Sequence, residues 1–208
     1  MSPDAVSPSP DRPRVFGIGL NKTGTTSFGE GLAVLGYTSL HFGGSDAHDA
    51  VQRAIDDGVP LLSYLDPRFD AFSDIGLLSR RFRMLDGQYP GSRFVLTTRP
   101  LPDWLDSRRR HVERNLKSQA RGEYDGTFLA VDEEKWIKEW EHHHERVRAY
   151  FAGRSDFLEL DLSARPTWGP LCTLLGLGEP NEPFPWANRG DERERRPAKR
   201  LLARFTRG

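Results

Sequence analysis

From about Arg14 onward, apolar runs of strand length alternate with longer segments of helical period. Val15 to Leu20 is followed by Ser27 to Leu35, and Thr38 to Phe42 by Ala47 to Asp57. Parallel strands need a long return connection, so this alternation predicts a parallel sheet with crossover helices. Leu61 to Leu65 reads as a further short strand ending at Asp66, and Ile75 to Tyr89 as a helix ending before the Pro90-Gly91 turn. Arg93 to Thr98 is the clearest central strand. Pro102 to Ala120 and Glu133 to Phe151 read as surface helices, joined by a Gly-containing segment, Arg121 to Phe128, suited to a mobile loop over a site. Phe157 to Leu162 reads as the last strand and Trp168 to Leu175 as a short helix.

Outside that pattern, residues 1–13 are rich in Pro, Ser and Asp and read as a disordered leader. Residues 14–190 form one α/β domain, and 191–208 a charged tail with the make-up of a solvated helix. Phe184 and Trp186 are expected to dock the start of the final segment on the domain. With 208 residues, 37% of them hydrophobic, the chain suits a single core.

Charge and cysteine content narrow the partners. Lys plus Arg total 30 and Asp plus Glu total 30, so no net field draws the chain to nucleic acid or an acidic membrane. Any anion it binds must be held locally. Cys172 is the single cysteine and lies in an apolar run, which reads as a buried structural thiol in a reducing compartment. No apolar run approaches the roughly 20 residues of a membrane span and no targeting pattern opens the chain, so a cytoplasmic protein is expected.

The densest chemistry lies in Gly17-Ile-Gly-Leu-Asn-Lys22-Thr-Gly-Thr25-Thr26-Ser27. A strand, a Gly-containing turn, a lysine and a Thr/Ser cluster opening a helix form an anion cradle, because backbone N–H groups and the helix dipole point into the loop. As a Walker A motif it has a leading Gly and the Lys22-Thr23 pair, but Asn21 stands where the second Gly belongs. The alternative is a structural turn that leaves Lys22 merely exposed.

The form Gly-x-x-Lys-Thr-Gly-Thr-Thr-Ser closely resembles the 5'-phosphosulfate loop of the sulfotransferases, which use 3'-phosphoadenosine 5'-phosphosulfate as donor. A second segment supports the resemblance. Arg99-Pro-Leu-Pro-Asp-Trp-Leu-Asp-Ser107 follows the central strand, like that family's 3'-phosphate motif, with serine eight residues after arginine. An arginine at a strand end can fork onto phosphate oxygens, and Ser107 can present a hydroxyl to the same group. Taken singly, Arg99 also fits a structural ion pair and Ser107 a solvent-facing position.

The resemblance runs from about Val15 to Arg189 and ends in Phe184-Pro-Trp-Ala-Asn-Arg189. It implies a three-layer P-loop-type α/β fold, a central parallel sheet flanked by helices. It further implies transfer of a sulfuryl group to a hydroxyl or amine of a small-molecule or glycan acceptor. In that reading Lys22 serves the leaving group. Asn21, Lys22, Thr23, Gly24, Thr25, Thr26 and Ser27 cradle the 5'-phosphate, Arg99 and Ser107 hold the 3'-phosphate, and Arg189 closes over the donor. No metal is required by in-line displacement.

The base stays open among three groups. His41 ends the second predicted strand, on the sheet edge where ligands bind. Asp74 and Asp66 are rival carboxylates, either of which also suits a helix cap. Of His142-His143-His144, consecutive helix positions point about 100 degrees apart, which argues against a shared metal and for surface solvation; His143 matches a family position that faces the cleft. Trp136 and Trp140 are helix-spaced and read as packing residues, and adenine contacts stay unassigned. Two rivals remain: a kinase or NTPase in which Asp66 ends a Walker B strand and holds Mg-ATP, and a nucleotide-binding module without turnover.

Overall fold

The computed structural model describes residues 12–163 and 166–186. Most of the leader, Arg189 and the tail 191–208 lie outside the described residues. The elements run β1 (Val15–Gly17), α1 (Thr25–Val34), β2 (Ser39–His41), α2 (Gly44–Asp56), β3 (Ala71–Ser73), α3 (Gly76–Arg80), α4 (Phe82–Gln88), β4 (Arg93–Thr98), α5 (Leu101–Gln119), α6 (Glu133–Phe151), β5 (Phe157–Asp161) and α7 (Gly169–Leu175). Five parallel strands form one sheet in the order β2-β3-β1-β4-β5. The chain is an α/β protein with a central parallel sheet and flanking helices.

Period-two alternation explains the layers. Phe16, Phe72, Phe94 and Leu96 point to one face, where they pack with Val51, Phe82, Leu85, Val147 and Phe151 from α2, α4 and α6. Val15, Ala71 and Val95 point to the other, against Phe28 and Leu32 of α1 and Leu171 of α7. The register sets Phe16 opposite both Phe72 and Phe94, and Phe94 opposite Phe157. The Phe16 ring lies 5.4 Å from Phe72 and 5.5 Å from Phe94, so an aromatic row ties the central strands together. Each such pair adds about 0.5–1.5 kcal/mol beyond burial. Truncating Phe16 to alanine would cost about 3–5 kcal/mol. The start of the final segment docks as expected, with Phe184 buried 4.6 Å from the Trp168 ring. Cys172 is buried, and its thiol donates to the Gly178 carbonyl.

Two expectations fail. Leu61 to Leu65 is not a strand. Its backbone closes turns, Ser63 to Pro60 and Leu65 to Leu62, and the Leu61 and Leu62 amides donate to Gln88 and Tyr89 side chains. Apolar content there serves burial under α4, not a ladder. The strand beside β1 is Ala71–Ser73, only 3 residues long, too short to show a period. The single helix expected from Ile75 to Tyr89 is two, broken at Arg81, where φ −106° and ψ 28° leave the helical region.

Candidate active site

The carboxyl ends of β1, β3 and β4 open at the point where the chain crosses from one side of β1 to the other, the usual ligand crevice of such sheets. The loop after β1 needs glycine at two places. A Cβ on Gly19 would lie 2.1 Å from the Thr97 hydroxyl, and Gly24 holds φ +90° with Leu162 closing on the space. Gly24 begins α1 without a side-chain cap, so the first-turn amides face the loop as donors for an anion. The buried Thr23 hydroxyl donates to the Leu20 carbonyl at 2.6 Å and meets Thr97 at 2.7 Å, which fixes the loop to β4.

Two residues of α5 hold Asn21, the position that spoils a Walker A reading. The Trp104 indole donates to the Asn21 carbonyl at 2.8 Å, and Arg108 donates to its side-chain oxygen at 3.2 Å. Arg108 is buried, with its guanidinium 4.7–4.9 Å from the ring centres of Trp104, Phe128 and Trp136. Phe128 belongs to the segment expected to be a mobile loop, yet Asn115 donates to its carbonyl at 2.9 Å and pins it there. Trp136 is buried and stacks on Phe128, a packing role as expected.

Arg99 follows β4 directly and donates to the Lys22 carbonyl at 3.1 Å, which ties the two sequence motifs together. Its buried Nε has no partner, and burial lowers its pKa, with Asp103 and Arg110 bearing on it. Asp103, Ser107 and Arg110 lie on one face of α5, at spacings of four and three. A half-buried guanidinium whose Nε has no partner is suited to an oxyanion.

On the other side of the loop, His41 ends β2 and Asp74 follows β3. His41 Nδ1 lies 3.0 Å from the Ser73 hydroxyl, and Nε2 lies 3.3 Å from the Thr26 hydroxyl and 4.0 Å from Asp74. Burial lowers the His41 pKa against the opposing pull of the Asp74 carboxylate, and burial raises the Asp74 pKa against His41 and Lys22. Thr25 hydrogen-bonds Asp74 through its side chain. The loop's threonines therefore touch both candidate bases. Asp66, the third, forms an ion pair with Arg68 that holds its carboxyl below the usual range. It lies in the turn region that replaces the expected strand, so the Walker B assignment has no strand to end.

Among the described residues, three that are not glycine have left-handed backbone: Lys22 (φ 69°), Phe42 (φ 65°) and Asp74 (φ 60°). Each follows the end of one of β1, β2 and β3. Phe42 is the centre of a γ-turn closed by the Gly43 N–H on the His41 carbonyl at 2.8 Å, a rare and strained form. Such backbone costs roughly 1–3 kcal/mol and clusters at working sites. A cleft of about 580 Å³ joins these residues, lined among others by Lys22, Thr26, His41, Phe42, Asp74 and Arg108.

The histidine run is not a solvated surface. Only His142 is exposed; His143 and His144 are buried, facing the sheet from α6. Sequence reasoning also missed Trp104, Arg108, Phe42 and Ser73. The four-residue spacing of Trp104 and Arg108 marks them as neighbours on α5, but what they hold is 83 and 87 residues away. Among the described residues no cluster of three His, Cys, Asp or Glu side chains could hold a metal ion, and no helix is long and apolar enough to cross a membrane.

A family profile described as a sulfotransferase domain matches residues 14–124 and 114–193, most of the chain. No curated protein matches it in sequence.

Proposed function

The chain belongs to the sulfotransferase family and is an enzyme of that class, and on that premise we propose that it moves a sulfuryl group from 3'-phosphoadenosine 5'-phosphosulfate to a hydroxyl or amine of a small-molecule or glycan acceptor. The observation that carries this reading is the bond from Arg99 to the Lys22 carbonyl, with Arg99 Nε buried and unpartnered. It supports a second oxyanion site beside the first, which suits a donor with two separate phosphate ends. The first-turn amides of α1 and Lys22 would take the 5'-phosphate. Arg99 and Ser107 would take the 3'-phosphate.

The acceptor enters the cleft that His41, Asp74 and Phe42 line. In the tautomer that carries its proton on Nδ1, toward the Ser73 hydroxyl, His41 has a bare Nε2 beside Thr26, and in the reaction that nitrogen accepts the proton of the acceptor hydroxyl. The acceptor oxygen attacks sulfur in line as the bond from sulfur to the bridging phosphate oxygen breaks. Charge that develops on the departing 5'-phosphate is met by Lys22 and the loop amides. Asp74, 4.0 Å from Nε2, stabilises the imidazolium that forms. Phe42, 60% exposed at the rim, offers an apolar face to the acceptor.

Calorimetry with 3',5'-diphosphoadenosine, ATP and GTP, each with and without Mg²⁺, tests the donor. Metal-independent preference for the 3'-phosphorylated ligand is expected; preference for Mg-ATP would replace this reading with a kinase.

A further inference from the structure

His143 and His144 lie outside the mechanism above, yet both are buried and both bond to strand ends that carry the donor motifs. His143 Nε2 donates to the Ile18 carbonyl at 2.7 Å. His144 Nδ1 donates to the Trp140 carbonyl at 2.7 Å, which leaves Nε2 to accept from the Thr98 hydroxyl at 3.0 Å. The two rings thus adopt opposite tautomers, each set by a carbonyl that can only accept. Packing holds them there: His143 meets Phe82 edge-on at 6.3 Å, and His144 stacks on Trp140 at 3.9 Å. Desolvation keeps both neutral, with the His143 pKa lowered to about 4.

Ile18 is the first residue of the phosphate loop, and Thr98 immediately precedes Arg99. Direct ties already join the two segments: the Ile18 amide donates to the Val95 carbonyl at 2.8 Å, the Thr23 hydroxyl meets Thr97 at 2.7 Å, and Arg99 donates to the Lys22 carbonyl at 3.1 Å. β1 ends at Gly17 opposite Val95, whereas β4 runs on to Thr98. Past Val95 strand pairing stops, Gly19 still lies against Thr97, and α6 is a third element that grips both chains.

We propose that His143 and His144 are positioning residues, a clasp on α6 that works beside the direct Thr23–Thr97 and Arg99–Lys22 bonds to hold the gap between the phosphate loop and the Arg99 motif and so matches the site to a ligand with two phosphates. A donor whose phosphates are joined covalently gains affinity only if both subsites stand at its own spacing, whereas a ligand with one phosphate is indifferent to the gap. This inference rests on the two-phosphate donor reading.

The test is calorimetry of the full chain with 3',5'-diphosphoadenosine, adenosine 5'-phosphate and adenosine 3'-phosphate. The wild-type protein and the variants His143→Phe, His144→Phe and Thr98→Val are compared, with thermal melts of each. Thr98→Val breaks the His144 bond from the strand side with almost no change of volume, so the test survives if a histidine variant does not fold. The expected result is a loss of roughly tenfold for the diphosphate and under about twofold for either monophosphate, with His143→Gln and His144→Gln restoring most of it. Equal losses for all three ligands, or an unchanged diphosphate affinity, overturns the clasp while the donor reading stands. A wild-type protein that binds the diphosphate no better than adenosine 5'-phosphate overturns the donor reading, and the clasp with it.

Discussion

On the β4 side of the phosphate loop, Thr23, Thr97, Thr98 and His144 are all buried and joined by hydrogen bonds from loop to strand to α6. On the β2 and β3 side, His41 and Asp74 are only part buried, Phe42 is 60% exposed, and both Phe42 and Asp74 have left-handed backbone. The contrast fits the proposed chemistry. A nucleotide of fixed phosphate spacing rewards a rigid, pre-arranged cradle, because ordering is completed in folding and not charged to binding. An acceptor that must enter, lose a proton and leave needs polar groups that reach the solvent and a base near its titration range. The denser buried network lies on the β4 side, while left-handed backbone occurs on both, at Lys22 as well as at Phe42 and Asp74.

Breaking the donor side should have the largest effect. Lys22→Ala removes the cation proposed to meet the leaving oxygen, and kcat should fall on the order of 10³-fold, read in a sulfuryl-transfer assay with labelled donor; a loss confined to donor KM would move Lys22 out of the transition state. On the acceptor side, His41→Ala should lower kcat/KM by roughly 10²-fold or more and abolish its acid limb. The base works unprotonated, so the wild-type rate should rise with pH through the His41 pKa, which burial places below the ordinary histidine value of 6.5, and stay level above it. A profile that His41→Ala leaves unaltered would shift the role to Asp74.

Arg99→Ala should raise donor KM by about tenfold, the weight of one charge-assisted contact, and erase discrimination against adenosine 5'-phosphosulfate. The acceptor KM should not move, which separates the two halves directly. Phe42→Gly should give the smallest and most informative effect. Relief of strain of roughly 1–3 kcal/mol outweighs the added unfolded-state entropy of roughly 0.5–1 kcal/mol. Urea denaturation should therefore find the variant as stable as the parent or more so, while acceptor KM rises several-fold. Lower stability with unchanged acceptor KM would show that Phe42 serves the fold alone.

Much of the donor side was legible along the chain because its residues are local in sequence. A strand, a glycine turn, Lys22 and a helix start fall within a dozen positions, and Arg99 and Ser107 lie eight apart, so the resemblance to the family's motifs could be read along the chain. His41 and Asp74 could be nominated but not joined, since their 4.0 Å separation is made by pairing β2 with β3 across more than 30 residues. β3 itself went unread, because 3 residues show no period, and the more apolar Leu61 to Leu65 took its place. The histidine run was misread because helical spacing tells which residues share a face but not which face meets the sheet.

The sequence by itself determined the class of fold and the kind of loop: apolar periodicity chooses strand or helix locally, and a helix start with glycine and lysine binds an anion wherever it is placed. Only the tertiary structure decided that Trp104 and Arg108 hold Asn21, that His143 and His144 bind two strand ends, and that Phe42 is held in a γ-turn at the cleft. Those are contacts between residues distant along the chain, and they are settled by strand order and by the face that each helix turns to the sheet.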